Sequence, residues 1–100
     1  MNTDFKFLFN SATPQEINIE IANRIRAIRR RRKISQERLS EQSGVSLGSV
    51  KRFERSGDIS LLSLSKIAIA LGIEKELQNL FVSVPFQSIE EIKNAEDNKS

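Results

Sequence analysis

The 100-residue chain contains no cysteine and no histidine. Disulfides are therefore impossible, as are thiolate or imidazole metal sites and Ser-His or Cys-His catalytic pairs. No glycine-rich phosphate loop is present, and paired carboxylates occur only as exposed helical neighbours such as Glu90-Glu91. Neither an enzyme nor a cofactor is expected. No apolar run approaches the roughly 20 residues that span a bilayer, and no signal-peptide pattern opens the chain. The expected setting is a reducing bacterial cytoplasm, close to the nucleoid, with no membrane partner. What is present is ordinary for a globular protein: 38% apolar and 29% charged residues, enough for one domain with a modest core.

The net charge is only +3, but it is unevenly spread. Between Arg24 and Arg55 lie eleven basic residues, including the run Arg29 to Lys33, opposed only by Glu37, Glu41 and Glu54. That block carries a net +8 and the remainder −5. A concentrated positive field points to a polyanionic partner, most directly nucleic acid. Single-stranded RNA would call for stacking aromatics on the basic face, and none are there.

In the first dozen residues Phe5, Phe7 and Phe9 alternate with Lys6 and Leu8, the period of a strand. Three readings stay open for this arm: a flap on its own core, a strand pairing with a second copy, or disorder. Thr13-Pro14-Gln15-Glu16 is a helix start, with a capping threonine, proline at the first helical position and a glutamate completing the capping box. Ile17, Ile21, Ile25 and Ile28 then form one apolar stripe, predicting a helix to about Arg32. Arg30 and Arg31 fall on other faces and are candidates for phosphate contact.

Ser35 to Glu54 reads as two short helices joined by a glycine turn. Ser35 caps the first, Gly44 ends it in a left-handed C′ position, and Ser46 caps a second from Leu47 to about Arg55. Stepping 100° per residue puts Leu47, Gly48, Lys51, Arg52 and Arg55 on one side of that second helix. Val50 and Phe53 take the other, joined by Leu39 and Val45 in the expected core. Glu54 lies near the docking side, where an isolated carboxylate is expensive, so an arginine partner is expected, with Arg29 the nearest choice. This is a helix-turn-helix arrangement, whose second helix can enter a DNA major groove.

After a loop at Ser56-Gly57-Asp58, Ser60 caps a fourth helix ended by Gly72, with Leu61, Leu64, Ile67, Ala68 and Leu71 as its buried face. A fifth is expected from about Glu74 to Phe81, with Leu77, Leu80 and Phe81 as its apolar residues. Ser88-Ile89-Glu90-Glu91 repeats the capping box, enough for a turn or two through Ile92, and the polar end is expected to be disordered. The expected layout is an arm over 1–12, an all-α five-helix domain over 13–82 and a short, partly disordered extension over 83–100.

Ser35-Gln36 followed by Leu39, Gly44, Val50, Phe53 and Glu54, then LSKIAIALGI, resembles the lambda-repressor-like (XRE/Cro-type) helix-turn-helix family. The likeness covers roughly residues 21 to 81. It implies a compact five-helix domain that binds a palindromic double-stranded DNA operator as a homodimer and represses transcription. By matching position, Ser46, Leu47, Gly48, Lys51 and Arg52 would face the major groove, Gln36, Ser49 and Arg55 the phosphates, and Arg29 and Glu54 would form the family's interhelical ion pair. Two residues depart from the pattern. Ser40 replaces an alanine at a close helix contact, and Gly48 stands where a polar base-reading side chain is common. The RSGDISLLSLSKIAIALG segment, with the downstream LF and PF-x-SIEEI, resembles HipB-like antitoxins, regulators encoded beside HipA-type toxin kinases. That likeness implies autoregulation of a toxin-antitoxin operon. It also sets a second function beside the first: an interaction module that mainly neutralises a toxin kinase, using the Phe5-Phe7-Phe9 arm or the tail around Phe86 and Ile89.

Overall fold

Thr13 starts the first helix. Its hydroxyl accepts from the Glu16 N–H at 3.1 Å while the Glu16 carboxylate accepts from the Thr13 N–H at 3.0 Å, so two orphan donors are satisfied reciprocally. The computed structural model describes residues 12–98, and they form an all-α fold. Its helices are α1 (Pro14–Arg31), α2 (Gln36–Ser43), α3 (Leu47–Ser56), α4 (Leu61–Leu71), α5 (Glu74–Gln78) and α6 (Ile89–Asp97). The Phe5-Phe7-Phe9 arm lies outside the described residues. None of the described helices is long and apolar enough to cross a membrane.

Helix α1 packs across α3, α2 lies against α3 and α4, and α5 docks on α4. The core sits where these meet. Ala22 and Ile25 enter from α1, Leu39 from α2, Val50 and Phe53 from α3, and Ile67, Ala68 and Leu71 from α4, with Val45 from the α2–α3 turn. Leu39, Val50, Phe53, Ile67 and Leu71 are each at most 2% exposed, and burial of such a side chain contributes about 1.5–3 kcal/mol. Gly57 lets α1 and α3 approach. It has φ +80, and a Cβ there would lie 2.7 Å from the backbone carbon of Asn18.

Several apolar residues stand elsewhere than their helical period suggests. Ile17, the outer end of the isoleucine stripe, is 46% exposed, and Leu61, expected to be buried, is 72% exposed. Both lie in the first turns of their helices, α1 and α4. Leu61 instead edges a shallow cleft with Asn18, Ile21, Phe53, Gly57, Ile59 and Leu64. Helix α5 stops at Gln78 rather than Phe81. Leu80 N–H donates to the Leu77 carbonyl and Val82 N–H to that of Asn79, tighter turns than an α-helix makes. Phe81 takes φ 64, which no right-handed helix accommodates. Leu80 and Phe81 consequently stay exposed.

The last helix is longer than the sequence suggests and includes part of the polar end expected to be disordered. Ser88 Oγ accepts from the Glu91 N–H at 3.1 Å, and the Glu91 carboxylate accepts from the Gln87 N–H at 2.7 Å. Glu90 and Glu91 in its first turn complement the positive end of the helix dipole. Those local terms carry α6 through to Asp97.

Candidate nucleic-acid interface

The turn that sets α3 relative to α2 is built from small polar residues. Ser35 Oγ accepts from the Arg38 N–H at 3.0 Å to start α2. Gly44, at φ +76, ends it by donating its N–H to the Ser40 carbonyl. Ser40 Oγ then donates to the Val45 carbonyl at 2.6 Å, and Ser43 Oγ accepts from the Val45 N–H at 3.1 Å. Val45 is thereby pinned through both backbone groups while its side chain is buried. Ser40, which departs from the alanine of the resembled pattern, thus carries one of the turn's hydrogen bonds. Ser46 Oγ accepts from the Ser49 N–H at 3.2 Å and opens α3.

Helix α3 has two faces. Val50, Phe53 and Glu54 are buried; Gly48, Lys51, Arg52 and Arg55 are exposed on the opposite side. Leu47 and Ser49 are half-buried along the two borders. Ser49 is tied to the cap, its hydroxyl accepting from Ser46 Oγ at 2.9 Å, so the two oxygens at the N-terminus of α3 are held as a pair. Nothing lies within 4 Å of where a Gly48 Cβ would stand, and its backbone is ordinary helix. The exposed face thus presents two long cations on either side of an open gap, with a third cation one turn on.

Beneath that face lies a charged hub. Arg29 Nε donates to Glu54 Oε2 at 2.7 Å and Arg29 Nη2 donates to Oε1 at 2.9 Å, a bidentate pair in which both residues are 8% exposed. The third guanidinium nitrogen donates to the Ile34 carbonyl at 2.7 Å, tying the pair to the α1–α2 turn. Gln36 Nε2 also donates to Glu54 Oε1, at 3.0 Å, and Arg26 Nε stands 3.9 Å from the same oxygen. One carboxylate therefore joins α1, the start of α2 and α3.

The structure draws some of the sequence-derived site residues together and leaves others apart. Ser46 and Ser49 are joined, and Gln36 is joined to the Arg29–Glu54 pair rather than standing free at the surface. Arg30 and Arg31 are exposed in the last turn of α1, and among the described residues no side-chain hydrogen bond links them to α3. Arg52 shares a polar cleft of about 210 Å³ with Ser49, Asp58, Ile59, Ser60 and Ser63. Ser60 and Ser63 sit at the N-terminus of α4, where backbone N–H groups favour anions. Their closeness to Arg52 is tertiary, and the only trace of it in the sequence is the serine cap itself.

The helix-turn-helix family model matches residues 25–77, from the middle of α1 through most of α5. No curated protein and no solved structure matches the chain.

Proposed function

Since the chain belongs to the lambda-repressor-like helix-turn-helix family of DNA-binding transcriptional regulators, we propose that it is a sequence-specific repressor that binds a palindromic operator as a homodimer. The observation that carries this reading is the division of α3, whose buried side locks the helix to the core while its opposite side offers Lys51 and Arg52 to a partner. The N-terminal half of α3 enters the major groove. Ser46, Leu47, Lys51 and Arg52 meet base edges there, with Gly48 on the same face leaving a gap between them, and Arg52 makes the bidentate contact to guanine that its planar fork permits. Leu47 supplies apolar contact, suited to a thymine methyl.

Phosphate contacts set the register. Arg30, Arg31, Gln36, Ser49 and Arg55 serve this role, with Ser60 and Ser63 added from the cleft beside Arg52. Gln36 does so while its amide remains anchored on Glu54, which orients the start of α2. The basic block releases counterions on binding, so affinity falls steeply with salt. In keeping with the resemblance of residues 55–72 to regulators encoded beside HipA-type toxin kinases, the operon repressed is the chain's own.

Selection of bound sequences from a random duplex library tests the reading. A palindromic consensus is expected. Recovery of unenriched sequences, at affinities equal to those for random duplex, would overturn it.

A further inference from the structure

Seven apolar side chains between Leu80 and Ile92 are 40–85% exposed. They include Phe81 and Ile89, at 80% and 85%. Helix α6 lacks the close packing on neighbouring helices that joins α1 to α5. Summed along the segment, these residues leave on the order of 800 Å² of surface open. That area is about what one partner contributes to a standard-size interface.

We propose that the Leu80–Ile92 segment with α6 is the surface through which two copies of this chain pair. The inference rests on the dimeric reading above and says where the dimer forms. Three features favour a second copy over another occupant. The surface carries both halves of a fit: Ile89 projects from the first turn of α6, and Phe86, Ile92, Ala95 and Glu96 line a hollow of about 380 Å³ beside it. A two-fold axis lets the projection of each copy enter the hollow of the other, as an isologous interface requires. The open area matches the need of such an interface on each side. Finally, α6 carries Glu90, Glu91, Glu96 and Asp97 against Lys93 alone, a balance that disfavours DNA as the occupant.

The test is the mass of the full chain in solution, by light scattering or sedimentation over the micromolar range. Three proteins are compared: the unaltered chain, Ile89→Asp and Leu62→Asp. Leu62 is 67% exposed on α4, outside the segment, and serves as the control for a charge placed on an exposed leucine. Thermal melts establish that the core survives in each. The unaltered chain and Leu62→Asp are expected to dimerise alike, and Ile89→Asp to weaken the dimer about 30-fold or more with an unchanged core melt. A dimer that Ile89→Asp leaves intact would overturn this surface while sparing the dimeric reading. A monomer at every concentration for the unaltered chain would overturn both.

Discussion

Arg29 and Glu54 meet across 25 residues of sequence, with Nε 2.7 Å from Oε2, and both are 8% exposed. Glu54 stands on α3 between the buried side of Val50 and Phe53 and the edge of the exposed basic side marked by Lys51. The pair's value is asymmetric. Two charges removed from water together gain little net energy, but one removed without the other costs about 3–5 kcal/mol.

Glu54→Ala should therefore destabilise the protein by about 3–5 kcal/mol, read as a lowered midpoint in urea with the slope unchanged. The Arg29→Met/Glu54→Leu double variant should recover most of that loss, since it buries apolar groups instead of an orphan guanidinium. A double variant as unstable as Glu54→Ala would mean that the pair's hydrogen bonds to Ile34 and Gln36 matter more than its charge.

Gly57 and Gly44 separate two effects of left-handed backbone. Both have φ near +80, but a Cβ at Gly44 meets nothing within 4 Å, whereas one at Gly57 runs into the Asn18 backbone at 2.7–2.8 Å. Gly44→Ala should cost about 1–2 kcal/mol, the steric price of αL alone. Gly57→Ala must in addition push α3 off α1, and should cost at least about 2 kcal/mol more, within the range seen for overpacked cores. Denaturation midpoints of the two variants, compared side by side, decide the point; equal losses would show that α1 yields freely.

In the proposed function the exposed arginines divide by what they touch on DNA. Arg52→Ala should weaken operator binding by about 1–3 kcal/mol and relax preference at one base position. Arg30→Ala and Arg31→Ala should instead weaken operator and random duplex alike, each reducing the slope of log affinity against log salt by about 1. Titrations on both duplexes at several salt concentrations distinguish the two behaviours. If Arg52→Ala lowered operator and random affinity equally, its base-reading role would be lost.

Much of this architecture is readable from local signals. Thr13, Ser35, Ser46, Ser60 and Ser88 each cap a helix through a hydroxyl that accepts the N–H three residues on, a chemistry complete within four residues. The two faces of α3 follow from helical geometry alone. Contacts between elements are less legible. The bond from Ser40 to Val45 and that from Gln36 to Glu54 depend on how α2 is held against its neighbours, which no spacing encodes. Lys33 takes φ 58 in the α1–α2 turn with no glycine to announce it. The exposure of Leu80 and Phe81 is of the same kind: their periodicity asks for a buried face, but α5 ends before a partner is reached.

Gly48 is the residue where stability and recognition can be pulled apart. Its backbone is ordinary helix and the space around it is open, so the free protein has no steric need of glycine there. Gly48→Ala should accordingly stabilise the fold by about 0.5–1 kcal/mol, through the lower backbone entropy of the unfolded chain. On α3 the neighbouring Lys51 and Arg52 rise well above a methyl group, so alanine should fit beneath them in the groove and leave operator affinity within about threefold, a shift under 1 kcal/mol. Gly48→Gln fills the gap with an amide that can pair with adenine, and should shift the selected consensus toward adenine at one position per half-site. Thermal melts and library selection on the two variants give the readout. A stabilised Gly48→Ala that binds operator tenfold worse would mean that the α3 backbone itself approaches the bases, and that the gap is a contact rather than a vacancy.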